Sequence, residues 1–323
     1  MHAVLLREAG DPEVLHLEEV DDPLPGPGQA VVRVEAAGLN FIDTYQRSGA
    51  YPLDLPTVIG SEGAGVVETL GEGVVGLSAG DRVAWAGQPG SYAERVVVDV
   101  GGVVTVPDGV DTRTAAAVML QGMTAHYLAL STFALGPDHT ALVHAAAGGV
   151  GHLLVQIAKR RGAEVVATVS TEEKAEIARE AGADEVIRYT EVDFAEETAR
   201  LYGRGMDVVY DSVGKATFLR SMDCLRPRGV MVLFGQSSGK VDPVDPQVLN
   251  TKGSLYLTRP TLAHYTADPT ELRWRAGDLF GWIAAGQLAV RVDRTFSLAE
   301  AADAHRYIEG RQTKGKVLLL PVA

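Results

Sequence analysis

Residues 144–171 read "HAAAGGVGHLLVQIAKRRGAEVVATVST", and how this stretch is understood decides the fold. A short apolar run, "ALVHA", leads into a turn of small residues. The chain then continues as "HLLVQIAKRRG", where Leu153, Leu154, Ile157 and Ala158 recur on one side at helical spacing. A second apolar run ends at Val169. Strand, glycine-rich turn, helix and strand are the opening of a dinucleotide-binding unit. Gly148 lets the backbone approach a pyrophosphate, and Gly151 lets the helix pack on the sheet. The turn residues Ala147, Gly148, Gly149 and Val150, with the free amides of the helix N-terminus, are the candidates for facing the phosphates. Two features depart from GxGxxG: Ala146 replaces the first glycine, and no Asp or Glu closes the second strand. The first departure is tolerable if Ala146 keeps φ below zero.

The second departure bears on which dinucleotide binds. A carboxylate after the second strand receives the ribose 2′-hydroxyl of NAD and repels a 2′-phosphate. Here Ser170 and Thr171 stand at that point, with Lys174 one helical turn later, which favours NADPH. Ser170 or Thr171 also caps the helix "EEKAEIAREAG", whose Glu172 and Glu173 suit the helix dipole and weaken the charge argument. Tyr189, ending the third apolar run, either adds a hydroxyl to the same pocket or is an ordinary strand-end tyrosine.

Outward from this stretch, apolar β runs alternate with amphipathic helices: "TALVHA", "AEVVATV", "DEVIRY", "DVVYDS", "GVMVLFG" and "GSLYLTR". This pattern predicts an α/β fold with a doubly wound parallel sheet. Before about residue 120 the texture is different: short β-branched runs ("AVLLREAG", "QAVVRVEAAGL", "GAGVVETLG", "DRVAWAG", "AERVVVDV") between turn residues predict a compact, mainly β module. After 261 come a helix, a strand ("AVRVDRTFS"), a helix and a closing strand ("KVLLLP"), so the C-terminus is expected to return to the first module. The expected divisions are 1–121, 122–261 and 262–323.

The chain has 323 residues, 46% of them hydrophobic and 22% charged, and a formal net charge of −13. That balance opposes general association with nucleic acid or an anionic membrane. No apolar run approaches the roughly 18 residues needed to span a bilayer, and the first 20 residues lack a basic start and a long apolar core, so a cytoplasmic location is expected. The single cysteine, Cys224, excludes an intrachain disulfide and reads as a buried, inert thiol.

Seven stretches resemble a known family: "GLNFIDTYQRSGAYP" (38–52), "GSEGAGVV" (60–67), "GDRV" (80–83), "HAAAGGVG" (144–151), "YDSVG" (210–214), "LRPRGVMVLFGQSSG" (225–239) and "GSLYLTRPTL" (253–262). Over nearly its whole length the chain is similar to the zeta-crystallin-like quinone oxidoreductase branch of the medium-chain dehydrogenase/reductase superfamily. The resemblance implies a GroES-like catalytic domain beside a Rossmann domain, with the active site in the cleft between them. Zinc-dependent members of the superfamily have a cysteine and a histidine ligand where this chain has Asn40 and Ser61. Neither an amide nor a hydroxyl suits catalytic zinc, and Glu62 alone cannot hold it. His144 is expected to be structural or to lie beside the cofactor.

The resemblance further implies that Asn40, Tyr45 and Tyr51 line the nicotinamide and acceptor cleft, with Asp43 beside it. Asp43 and Thr44 also read as helix caps, Thr44 above all. Gln121 and Thr124 are expected near the nicotinamide, Ser212 at the edge of the fourth strand, and Phe234, Gln236 and Ser237 in the fifth-strand loop. Thr258, Arg259 and Pro260 are placed on the carboxamide side, and Lys314 or Lys316 by position at the 2′-phosphate. The chemistry expected is hydride transfer from NADPH to a quinone or related conjugated carbonyl compound. Alternatives are an enone or 2-alkenal reductase, and an NADPH-binding redox sensor or RNA-binding protein. Pairing of "GSLYLTR" sheet edges would make a homodimer.

Overall fold

β-Branched runs and turn glycines shape the first part of the chain. In the computed structural model, which describes residues 1–203 and 205–321, it forms β1 (His2–Leu6), β2 (Leu15–Glu19), β3 (Gln29–Leu39), α1 (Phe41–Arg47), β4 (Thr57–Val58), β5 (Glu62–Leu70), β6 (Arg82–Ala86), β7 (Arg95–Asp99), β8 (Val103–Thr105) and α2 (Thr112–Tyr127). Strand β3 is the spine: it pairs antiparallel with both β5 and β7. At Gly65 on β5 an added Cβ would lie 2.0 Å from Arg33 O, so only glycine permits the close pairing there. β1 lies between β2 and β4 in a separate three-stranded sheet.

From β9 (Thr140–His144) onward strands and helices alternate: α3 (Gly149–Arg160), β10 (Glu164–Val169), α4 (Glu172–Glu180), β11 (Glu185–Arg188), α5 (Phe194–Leu201), β12 (Met206–Asp211), α6 (Phe218–Asp223), β13 (Leu225–Leu233), α7 (Gln247–Thr251), β14 (Tyr256–Thr258) and α8 (Leu262–Tyr265). The six strands pair in parallel in the order β11-β10-β9-β12-β13-β14. Wholly buried β9 and β12, "TALVH" and "MDVVYD", lie at the centre, where side chains must be shielded on both faces. The chain winds outward one way from β9 and then the other way from β12. This is the doubly wound Rossmann arrangement, and the β9/β12 junction is its topological switch point. Leu142, Val166, Val209 and Met231 from the strands meet Phe218, Met222 and Cys224 from the α6 region in its core. Burial raises the Cys224 thiol to about 12, which keeps it unreactive.

The chain ends with α9 (Pro269–Ala284), β15 (Val292–Ser297), α10 (Ala301–Glu309) and β16 (Lys316–Leu320). β16 pairs antiparallel with β3 and parallel with β15, which completes the larger sheet of the β module. The chain accordingly divides into two units, Met1–Met123 with Tyr265–Ala323, and Thr124–His264. In the first, Val32, Trp85, Tyr92, Phe296, Ile308 and Leu319 share one core. The short strands β2, β4 and β8 are additions to the pattern that sequence spacing predicts. β4 and β8, of two and three residues, are too brief to show a two-residue period, and β2, "LHLEE", is mostly polar.

Candidate active site

In the Rossmann unit the turn after β9 is built from its backbone outward. The left-handed residue is Ala145, at φ 51, one place before the missing glycine, so Ala146 does not need glycine's freedom. Holding an alanine there costs about 1–2 kcal/mol. The Ala145 carbonyl accepts from Gly148 N–H at 2.9 Å. An added Cβ at Gly151 would lie 2.3 Å from Ala145 O and 2.8 Å from Ala146 Cα, which makes this glycine obligatory. No side chain caps α3 at its N-cap Gly148, so the first amides of the helix remain for an anionic ligand. The turn fits a dinucleotide pyrophosphate.

The other predicted cofactor residues lie at the carboxyl ends of the parallel strands. Ser170 follows β10, Tyr189 follows β11, Ser212 follows β12, Phe234, Gln236 and Ser237 follow β13, and Thr258 ends β14, with Arg259 and Pro260 after it. The turns after β12 and β13 are joined: Ser237 N–H donates to Ser212 O at 3.2 Å and Ser238 N–H to Val213 O at 2.8 Å. Behind them the Asp211 carboxylate accepts from Val213 N–H, Gly214 N–H, Thr217 and Ser221. Because Ser221 donates to Asp211, it must accept from His144 Nε2–H at 2.9 Å, which leaves Nδ1 to accept from Thr168 at 2.7 Å. His144 is thus a neutral tie between β9, β10 and α6. Burial lowers its pKa.

Thr171 is the N-cap of α4 and accepts from Lys174 N–H at 3.3 Å. Glu172, which weakened the charge argument for a 2′-phosphate, is ion-paired with Arg179 at 2.7 Å and with Arg188 at 3.2 Å. Its negative charge is therefore compensated locally. Arg188 is absent from the sequence-derived candidates because a strand-end arginine carries no motif.

The β module holds a second cluster. Asn40 is the N-cap of α1, and the Asp43 side chain reaches back from the third helical position to accept from the Asn40 backbone N–H. The Asn40 side chain donates to Gly38 O at 3.1 Å and to Glu62 Oε2 at 2.7 Å, and its Oδ1 accepts from Lys316 Nζ at 2.8 Å and Gln121 Nε2 at 3.2 Å. An amide has two hydrogens and two lone pairs, so all of its capacity is used. Asn40, expected to line the nicotinamide and acceptor cleft, thus spends its whole side-chain amide on partners within the protein. Gly38 is required because a Cβ there would lie 2.3 Å from Glu62 Oε2. Lys316 Nζ also meets Glu62 Oε2 at 2.5 Å, with the two side chains 1% and 0% exposed. Its expected place at the 2′-phosphate is corrected: an ammonium desolvated on a buried carboxylate does not reach out to a ribose. Burial lowers the Lys316 pKa, while the nearby Glu62 and Asp43 oppose that shift.

Asp43 is wholly buried and accepts from Asn40 N–H at 2.8 Å, Ser61 Oγ at 3.0 Å and Tyr92 OH at 3.1 Å. Burial raises its pKa to about 6, although these hydrogen bonds and Lys316 pull the other way. Thr44 is no cap: its hydroxyl donates to Phe41 O inside α1. Tyr45 and Tyr51 form an edge-on aromatic pair with centroids 5.4 Å apart. Gln121 and Thr124 lie one turn apart on α2. At the positions of superfamily zinc ligands, the Asn40 amide is saturated, the Ser61 hydroxyl is turned to Asp43, and the Glu62 carboxylate carries an ammonium. This donor set does not fit zinc. No group of three or more His, Cys, Asp or Glu among the described residues could hold a metal ion.

The zinc-binding dehydrogenase family model matches residues 149–266, and that of the alcohol dehydrogenase GroES-like domain matches residues 26–108. A quinone oxidoreductase of Pseudomonas aeruginosa is 48% identical over 97% of each chain, and a 2-haloacrylate reductase of a Burkholderia species is 44% identical over 99% of each. The structure of an Escherichia coli quinone oxidoreductase complexed with NADPH superimposes with a TM-score of 0.97 at 42% identity, covering 99% of this chain and all of that one. The chain belongs to the medium-chain dehydrogenase/reductase superfamily, in its zeta-crystallin-like quinone oxidoreductase branch.

Proposed function

We propose that this protein reduces quinones by hydride transfer from NADPH, without zinc. The observation that carries the reading is the end of β10: Ser170, Thr171 and Lys174 stand where a carboxylate would receive NAD, beside a turn that only glycine at 151 allows. NADPH-bound and quinone-reducing relatives at above 40% identity support it. When bound, NADPH supplies the hydride. The protein's task is then placement, which contributes most of the acceleration for an acceptor that is already electrophilic.

In this reading the α3 amides hold the pyrophosphate and Lys174 meets the 2′-phosphate, with Tyr189 beside it. The joined turns at Ser212 and Phe234–Ser237, with Thr258–Pro260, hold the nicotinamide half. Gln121 and Thr124 complete that end. Tyr45 and Tyr51 position the acceptor, and the saturated Asn40 fixes the α1 turn that carries them. A conjugated carbonyl compound is the second acceptor class, favoured by the similarity to a 2-haloacrylate reductase. The protein acts in the cytoplasm as a homodimer through β14, an edge strand whose Tyr256 and Leu257 are 63% and 39% exposed.

The test is NADPH oxidation across quinones, enals and enones of graded size, run in parallel with NADH. Turnover of quinones with a preference for NADPH is expected. Saturable NADPH binding with no turnover of any acceptor would replace the enzyme by a sensor.

A further inference from the structure

The β module contains a string of polar groups that placement of an acceptor does not need. Tyr92 OH donates to Asp43 Oδ2 at 3.1 Å, so its oxygen is left to accept from His305 Nε2 at 3.5 Å. Asp43 Oδ1 accepts from Ser61 Oγ at 3.0 Å. Asp43, Tyr92 and His305 are sealed from solvent, whereas Ser61 retains 7% exposure. Ser61 is therefore where this string opens. Capping α1 does not account for the arrangement, because the cap uses only Oδ2 and leaves Oδ1 aimed at Ser61. Burying a carboxyl is costly, and a neutral side chain would cap as well.

We infer that Ser61, backed by the Asp43 carboxyl, hands a proton to the reduced acceptor, and that this pair equips the site for conjugated carbonyl compounds as well as quinones. The inference rests on the reductase reading above. The two acceptors differ in what one hydride leaves behind. A quinone becomes a hydroquinone anion, a weak base that water protonates readily. An enone gains a C–H bond at its β carbon and becomes an enolate, a much stronger base that needs an acid at hand. In the step inferred, Asp43 is protonated on Oδ1, so its hydrogen bond with Ser61 reverses and the Ser61 hydrogen is released toward the acceptor; Ser61 Oγ–H then breaks as the proton passes to the enolate, and Ser61 Oγ takes the proton of the Asp43 carboxyl. Asp43 is then reprotonated from solvent through Ser61 after product leaves. The sum is enone, NADPH and one proton giving saturated carbonyl and NADP⁺, with no further reagent.

Asp43 holds a proton at moderately acid pH because burial lifts its pKa to about 6. The charged and titratable groups around it are Lys316 on β16, Glu62 on β5, Tyr92, Arg47 on α1 and His305 on α10. Lys316 favours the anion. His305, pushed down to about 3 by burial and Arg47, stays neutral and is not the proton source.

The experiment compares menadione and cyclohexenone as acceptors for the full chain with NADPH, in the wild type, Ser61→Ala and Asp43→Asn. In both variants the ratio of cyclohexenone to menadione kcat is expected to fall at least tenfold, a floor set below the roughly 10²–10⁴-fold that a general acid contributes. Wild-type cyclohexenone kcat should fall as pH rises above about 6, and Asp43→Asn should flatten that profile. Independently of turnover, infrared titration of the protein without ligand should show a carboxyl band titrating near pH 6 that Asp43→Asn removes. A ratio unchanged within twofold, a wild type that reduces menadione alone, or absence of that band would overturn the inference and leave the reductase reading standing. Failure of the wild type with every acceptor would overturn both.

Discussion

Lys316 Nζ and Glu62 Oε2 meet at 2.5 Å although 254 positions separate them in the chain, and both side chains are out of solvent. Removing one partner leaves an uncompensated buried charge, which costs about 3–5 kcal/mol. Lys316→Met should therefore lower stability by about that amount in urea unfolding, and adding Glu62→Gln should restore a large part. Equal losses in the single and double variants would show that the ammonium matters for packing rather than charge.

At the phosphate turn, Gly151→Ala places a methyl 2.3 Å from a backbone carbonyl. Neither Ala145 nor α3 can give way without opening the turn. Overpacking of this kind costs about 1–3 kcal/mol, and NADPH affinity should fall at least tenfold in a fluorescence titration. Gly203→Ala is the control, because a Cβ there meets nothing within 4 Å.

If Lys174 meets the 2′-phosphate as proposed, cofactor choice depends on one charge-assisted contact, worth roughly 1.5–3 kcal/mol. Lys174→Ala should weaken NADPH binding by about tenfold or more and barely alter NADH binding. Equal losses for the two cofactors in calorimetric titrations would remove Lys174 from the 2′-phosphate.

The carboxyl of Asp43 also sets a pH dependence of stability. Its folded pKa of about 6 exceeds the ordinary 3.8, so between these values the folded chain binds more protons than the unfolded one. This contribution is complete below about pH 4 and is lost as pH rises through 6, a swing of about 3 kcal/mol. Asp43→Asn should abolish the swing, making the variant relatively more stable at pH 8 than at pH 4 when compared with the wild type. His305 works in the opposite sense, since a folded pKa near 3 removes stability as pH falls below 6.5. It is common to both proteins and cancels in the difference.

If β14 is a dimer edge, Leu257→Lys should shift the protein toward monomer in light scattering at micromolar concentration. A charge at an edge strand discourages edge-to-edge pairing. A wild type that is monomeric under those conditions would remove the homodimer.

By itself the sequence determined the Rossmann unit and its phosphate turn. Strand runs, helix spacing and the glycine at 151 are local properties, and a parallel sheet buried on both faces leaves them written as alternating apolar segments. Residues 140–169 read correctly because each element's reason lies within a few positions of itself. The saturation of Asn40, the seat of Lys316 and the string from His305 to Ser61 were decided only by tertiary structure. There β16 is laid beside β3, and α10 against the first module's core. What a buried amide, ammonium or carboxyl can do depends on which distant groups share its desolvated space. For that reason a lysine placed by position at a phosphate proved to be the partner of a glutamate, and an aspartate taken for a cleft neighbour or a helix cap proved also to be a buried carboxyl hydrogen-bonded to a serine.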